Sequence, residues 1–97
     1  MSANKQTIDL VRFNNQLLGF MIKGFGKFKK HSQLRASTNA QISAYLPDKI
    51  SIETCHYLIS NIITLWIPKS YNMGQYSYNL VYQGIYALLV ENSQNVQ

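Results

Sequence analysis

One cysteine, four acidic side chains and no long apolar run mark what this 97-residue sequence does without. A lone Cys55 excludes an intramolecular disulfide and any multi-cysteine zinc site, so no redox framework or metal centre of that kind is expected. The stretch from Ser70 to Val90 carries no charge, but Asn, Gln, Ser, Gly and Tyr interrupt it too often for a membrane span. Met1 to Lys5 is polar, and no apolar segment with a small-residue cleavage site follows it, so no secretory leader is expected. The expected location is cytoplasmic, or inside a virion or nucleoprotein complex.

Charge is scarce. Charged residues make up 13% of the chain, where about 25% is usual, and Asn, Gln, Ser and Tyr fill the deficit. Such a surface repels its own copies weakly and loses little solvation when it packs against another subunit. What charge there is lies unevenly, with nine Lys and Arg against four Asp and Glu, a net of +5. Between Asp9 and Asp48 there is no acidic residue, while Arg12, Lys23, Lys27, Lys29, Lys30 and Arg35 all fall there. A one-signed segment of that kind suits phosphate or an anionic membrane surface.

The shortage of carboxylates, with only two histidines, also leaves little for catalysis. Cys55 and His56 are adjacent, which on a helix points them about 100° apart and prevents a nucleophile from facing its base. Neither His31 nor His56 has metal-ligand spacing with a third ligand nearby. Gly24 and Gly26 follow a helix-like segment and lack the strand that a phosphate-binding glycine loop needs. The expectation is a non-enzyme without cofactor or metal.

What remains is 46% hydrophobic, enough for one core, and at this length for one domain spanning residues 1–97, with 1–6 and 93–97 frayed. From Thr7, the residues Leu10, Phe13, Leu17, Phe20 and Met21 recur at three- and four-residue steps, and Gly24 is a natural stop. Ser37 or Thr38 could cap a short helix to about Leu46, anchored by Ile42, Tyr45 and Leu46, before a turn at Pro47-Asp48. Ser51 suits the N-cap of a central helix, with Glu53 in its first turn. Cys55, Leu58, Ile59, Ile62, Ile63, Leu65 and Trp66 form the apolar face of that helix, and Pro68 follows its end. A last helix runs from about Gln75 to Asn92, with Val81, Ile85, Leu88 and Leu89 inward. The predicted architecture is all-α, a compact bundle of three longer helices plus one short connecting helix.

Two constellations then carry function. The basic segment offers Arg12, Lys23, Lys27, Lys29, Lys30 and Arg35 as phosphate contacts, with Phe25 and Phe28 as stacking rings, apolar anchors or plain core residues. Tyr78, Tyr82 and Tyr86 stand at four-residue steps, either as the half-exposed edge of the core or as a subunit contact. The expected function is a basic helical subunit of a nucleic-acid-associated assembly, nucleocapsid-like or akin to a small helical subunit of a nucleoprotein effector complex. Its partners would be nucleic acid and other protein subunits or further copies of itself. The alternative is a protein-binding accessory, inhibitor or immunity-type bundle, with a membrane surface as a further site of action for the same cations and aromatics.

Overall fold

Asp9 opens the first helix: its side-chain Oδ1 accepts from the Arg12 amide at 3.1 Å and its carbonyl from the Phe13 amide at 2.9 Å. In the computed structural model, which describes residues 5–25, 31–45, 51–67 and 71–96, that helix is α1, Leu10–Phe25. Three further helices follow, α2 (His31–Tyr45), α3 (Ile52–Trp66) and α4 (Gln75–Asn92). Ser51 caps α3 through its hydroxyl, which accepts from the Thr54 amide at 3.0 Å, and Glu53 sits in the first turn, where a carboxylate favours the helix dipole.

The architecture is all-α, with a correction in detail. The segment expected as a short connecting helix is α2, which has 15 residues, as many as α3. Its inward stripe is thin and partly polar: Leu34, Thr38, Ile42 and Tyr45, of which Thr38 and Ile42 are buried and the other two are partly buried against the core. Helical spacing is present, but only two of these side chains are aliphatic, so periodicity of hydrophobic residues marks only the second half of the helix.

Neighbouring helices run antiparallel. Asn14 of α1 bonds to Asn39 of α2 and Asn15 accepts from Arg35; Thr38 of α2 meets Trp66 of α3 and Gln41 meets Asn61. In α3 Ser60 meets Tyr78 of α4, while Gln16 of α1 meets Asn92 of α4. His56 against Tyr82 and Phe20 against Gly84 are further contacts of α3 and α1 with α4. In every pair the later partner moves back along its helix as the earlier one advances, so the helices go up, down, up and down around a shared core. That core is built from Phe13, Leu17 and Met21 of α1, Ile42 of α2, six residues of α3 and Val81, Ile85 and Leu89 of α4.

Trp66 is 1% exposed, and its indole N–H donates to Thr38 Oγ1 at 2.8 Å, which joins α2 to α3 inside the core. Two amides are also buried. Asn14 Nδ2 donates to the Leu10 carbonyl and to Asn39 Oδ1, and Asn92 Nδ2 donates to the Leu88 carbonyl and to Gln16 Oε1. Each amide satisfies a carbonyl of its own helix and a side chain of a neighbour, which fixes the rotation of one helix against the next.

Of the ends expected to fray, residues 5, 6 and 93–96 are described, and 1–4 and 97 lie outside the described residues. Lys5–Ile8 (β1) pairs antiparallel with Ser93–Val96 (β2), in a register that sets Lys5 against Val96 and Ile8 against Ser93. The pairing follows from helix direction: α1 begins where α4 ends, and the Asp9 amide donates to the Asn92 carbonyl at 3.1 Å, leaving the flanking chains side by side.

Candidate nucleic-acid interface

The up-and-down order sorts the charges. The helices α1 and α3 begin at one end of the bundle, and the described carboxylates Asp9, Glu53 and Glu91 all belong to that end: Asp9 just before α1, Glu53 in the first turn of α3 and Glu91 in the last turn of α4. The opposite end is where α1 and α3 stop and where α2 and α4 start, and among the described residues it has no acidic side chain. Lys23, in the last turn of α1, is exposed there. In the sequence, Lys27, Lys29 and Lys30 fall between α1 and α2, and Lys69 between α3 and α4; these four, with Phe28, lie outside the described residues.

The helix termini have the same polarity. At the acidic end, Asp9 and Ser51 occupy the free amides of α1 and α3 with side-chain oxygens. At the lysine end, α4 starts at Gly74, which has no side chain to cap it, so the first-turn amides keep their capacity for an anion.

The six cations expected to act together are therefore not equivalent. Arg12 is engaged: its guanidinium donates to Glu91 Oε2 at 3.0 Å, and Gln16 Nε2 donates to the same oxygen at 3.1 Å. These two donors hold the Glu91 carboxyl below its usual range. In sequence Arg12 and Glu91 are 79 residues apart, so no local pattern announces the pair. Arg35 is half-buried and donates to Asn15 Oδ1 at 2.9 Å, which ties α2 to α1; it forms no ion pair with a described residue. Lys23 forms no ion pair with a described residue.

Beside Lys23 lies a groove of about 520 Å³ between the end of α1 and the start of α4, lined by Phe20, Gly24, Phe25, Tyr71, Leu80 and Val81 among others. Phe25, one of the two rings expected to stack or anchor, is half-buried and meets Tyr71 edge to face, with centroids 5.0 Å apart. Phe20, Tyr71 and Leu80 are 36%, 47% and 50% exposed, so much of the wall is apolar surface in water. Sequence reasoning placed Phe20 in the core, counted Tyr71 only as a neighbour that could support a subunit contact, and did not single out Leu80. The missed signal is Gly84, the glycine within α4, where the Phe20 ring occupies the space a Cβ would need.

The tyrosine series is split by its surroundings. Tyr78 hydrogen-bonds Ser60, Tyr82 lies against the His56 ring with centroids 6.1 Å apart, and Tyr86 is 47% exposed. Tyr78 and Tyr82 therefore form the α3–α4 seam, and burial beside Cys55 pushes the Tyr82 phenol above its ordinary pKa. Tyr86 lines a smaller hollow of about 260 Å³ with Ser51, Ile52, Cys55 and Tyr82, at the acidic end.

Cys55 is buried and His56 exposed, and burial pushes the thiol pKa up, away from the nucleophilic thiolate. Among the described residues no three His, Cys, Asp or Glu side chains gather as metal ligands, and no described helix is long and apolar enough to cross a membrane. The fold and this end together define a small basic helical bundle with a polarised charge distribution. No family model, curated protein or solved structure matches the chain.

Proposed function

We propose that this protein is a non-enzymatic, basic helical subunit of a nucleic-acid-associated assembly, which holds phosphate at the end where α1 stops and α4 starts. The observation that carries the reading is the segregation of charge. Described carboxylates collect at one end, while the other presents Lys23, an uncapped helix start at Gly74 and no described acid. Lys27, Lys29 and Lys30 follow Lys23 within one short connection in the sequence and raise the positive charge of the same part of the chain. A field of one sign over a small area attracts a polyanion and orients it, without reading base sequence. The place of action is the cell interior or a nucleoprotein particle.

The test is a titration of labelled single-stranded and duplex oligonucleotides at several salt concentrations. The expected result is binding whose logarithm falls linearly with the logarithm of salt, with little dependence on sequence. Absence of binding at low salt overturns the reading. The alternative, a protein-binding accessory, then takes its place, favoured by the apolar groove beside Lys23. Cosedimentation with anionic vesicles in place of oligonucleotide binding would transfer the same cations to a membrane surface.

A further inference from the structure

Two apolar features of opposite shape sit at opposite ends of the bundle, next to charges of opposite sign. At the lysine end is the groove between α1 and α4, with Phe20, Tyr71 and Leu80 open to water and Lys23 on its rim. At the acidic end Ile52, the first residue of α3, is 91% exposed, and the next residue is Glu53, also exposed. A branched aliphatic side chain left in water beside a carboxylate is the complement of a hollow apolar wall beside an ammonium group.

We infer that the groove receives the Ile52-Glu53 corner of a second copy of this chain, so that copies join head to tail. The inference rests on the assembly part of the proposed function and not on its nucleic-acid part. Ile52 would fill the groove and Glu53 would meet Lys23. Charge argues against the simpler symmetric dimer: placing groove against groove would bring Lys23 towards its own counterpart and leave Ile52 in water. Because knob and groove lie on different surfaces, the contact is heterologous, and each copy that joins leaves one groove and one corner open. Such contacts build open chains unless the rotation closes a ring. The net charge of +5 does not forbid this, since at about 0.15 M salt screening acts beyond about 8 Å and the local pairing decides.

The experiment is sedimentation of the purified chain without nucleic acid, at a fixed ionic strength of about 0.15 M, from about 10 μM to about 1 mM chain. The expected result for the wild type is an average mass that keeps rising with concentration and does not level at a dimer. Ile52→Ser, Glu53→Lys and Lys23→Glu, each with an unchanged circular dichroism spectrum, should weaken association at least about tenfold. The deciding measurement mixes Glu53→Lys with Lys23→Glu. Each variant alone sets like charges at every contact, but in the mixture every contact between unlike copies pairs Lys with Glu, so association should return to within about threefold of the wild type. A monomeric wild type, a plateau at dimer, full association of the single variants, or a folded mixture that stays monomeric would each overturn the inference. Glu53→Lys lies at the acidic end and should still bind oligonucleotide, so failure of self-association and failure of the nucleic-acid reading give separate results.

Discussion

The ring of Phe20 lies over Gly84, so close that a Cβ at position 84 would stand 2.4 Å from the ring Cζ. This contact lets α1 and α4 approach beside the groove, and it makes the two residues energetically dependent. Alanine in place of a helical glycine normally gains about 1 kcal/mol from backbone propensity. In Gly84→Ala that gain should be offset, because the half-exposed ring must swing outward. In a Phe20→Ala background the same change should recover most of it. A double-mutant cycle by urea denaturation should therefore return a coupling of about 0.5 kcal/mol or more. Additivity to within about 0.3 kcal/mol would show that the ring does not lie there.

Trp66 reports on the seam between α2 and α3. It is 1% exposed and bonded to Thr38, so native fluorescence should be blue-shifted relative to free tryptophan and should move red on unfolding. Trp66→Ala should cost about 3 to 5 kcal/mol, the range for truncating a large core aromatic. A water-like emission maximum in the folded protein would place the indole outside the core.

Acid should loosen the end where β1 and β2 pair. Gln16 and Arg12 donate to Glu91 and lower its pKa in the fold below the ordinary value of 4.5. A carboxylate with a depressed folded pKa stabilises the protein above its unfolded pKa, and that contribution is lost as pH falls through the folded value. Stability should therefore decline below about pH 4.5, and Glu91→Gln should make that decline shallower. An identical acid limb in wild type and variant would remove Glu91 from the explanation.

Binding to nucleic acid should depend on the lysines between α1 and α2. Replacing Lys27, Lys29 and Lys30 with Gln should weaken binding to any sequence about equally. Each lost phosphate contact on duplex DNA should lower the log-log salt slope by about 0.9. A triple variant that keeps the wild-type spectrum, affinity and slope would move the interface to other residues.

Much of the helix pattern was legible in the chain. Ser51 with Glu53, and the apolar spacing from Cys55 to Trp66, specify α3 because both the cap and the buried stripe are made by residues close in sequence. The segment from Gln75 to Asn92 is likewise the helix its periodicity announces. The first half of α2 was not legible, because Thr38 is buried through a hydrogen bond to Trp66, 28 residues away, and nothing local marks it as a core position. Asn14 and Asn92 were hidden in the same way: each is buried by partners that folding supplies.

By itself the sequence determined the helical class, the central apolar helix, the net positive charge and the run of cations without an acid between Asp9 and Asp48. These follow from residue type and short-range spacing, which act before any distant segment arrives. Only the tertiary structure decided how those charges are distributed. Antiparallel packing brought Glu91 to Arg12, left Lys23 without a described carboxylate beside an apolar groove, and set Ile52 and Glu53 at the far end. Electrostatic and packing partners are chosen by distance in space, and in an up-and-down bundle residues at opposite ends of the chain become neighbours.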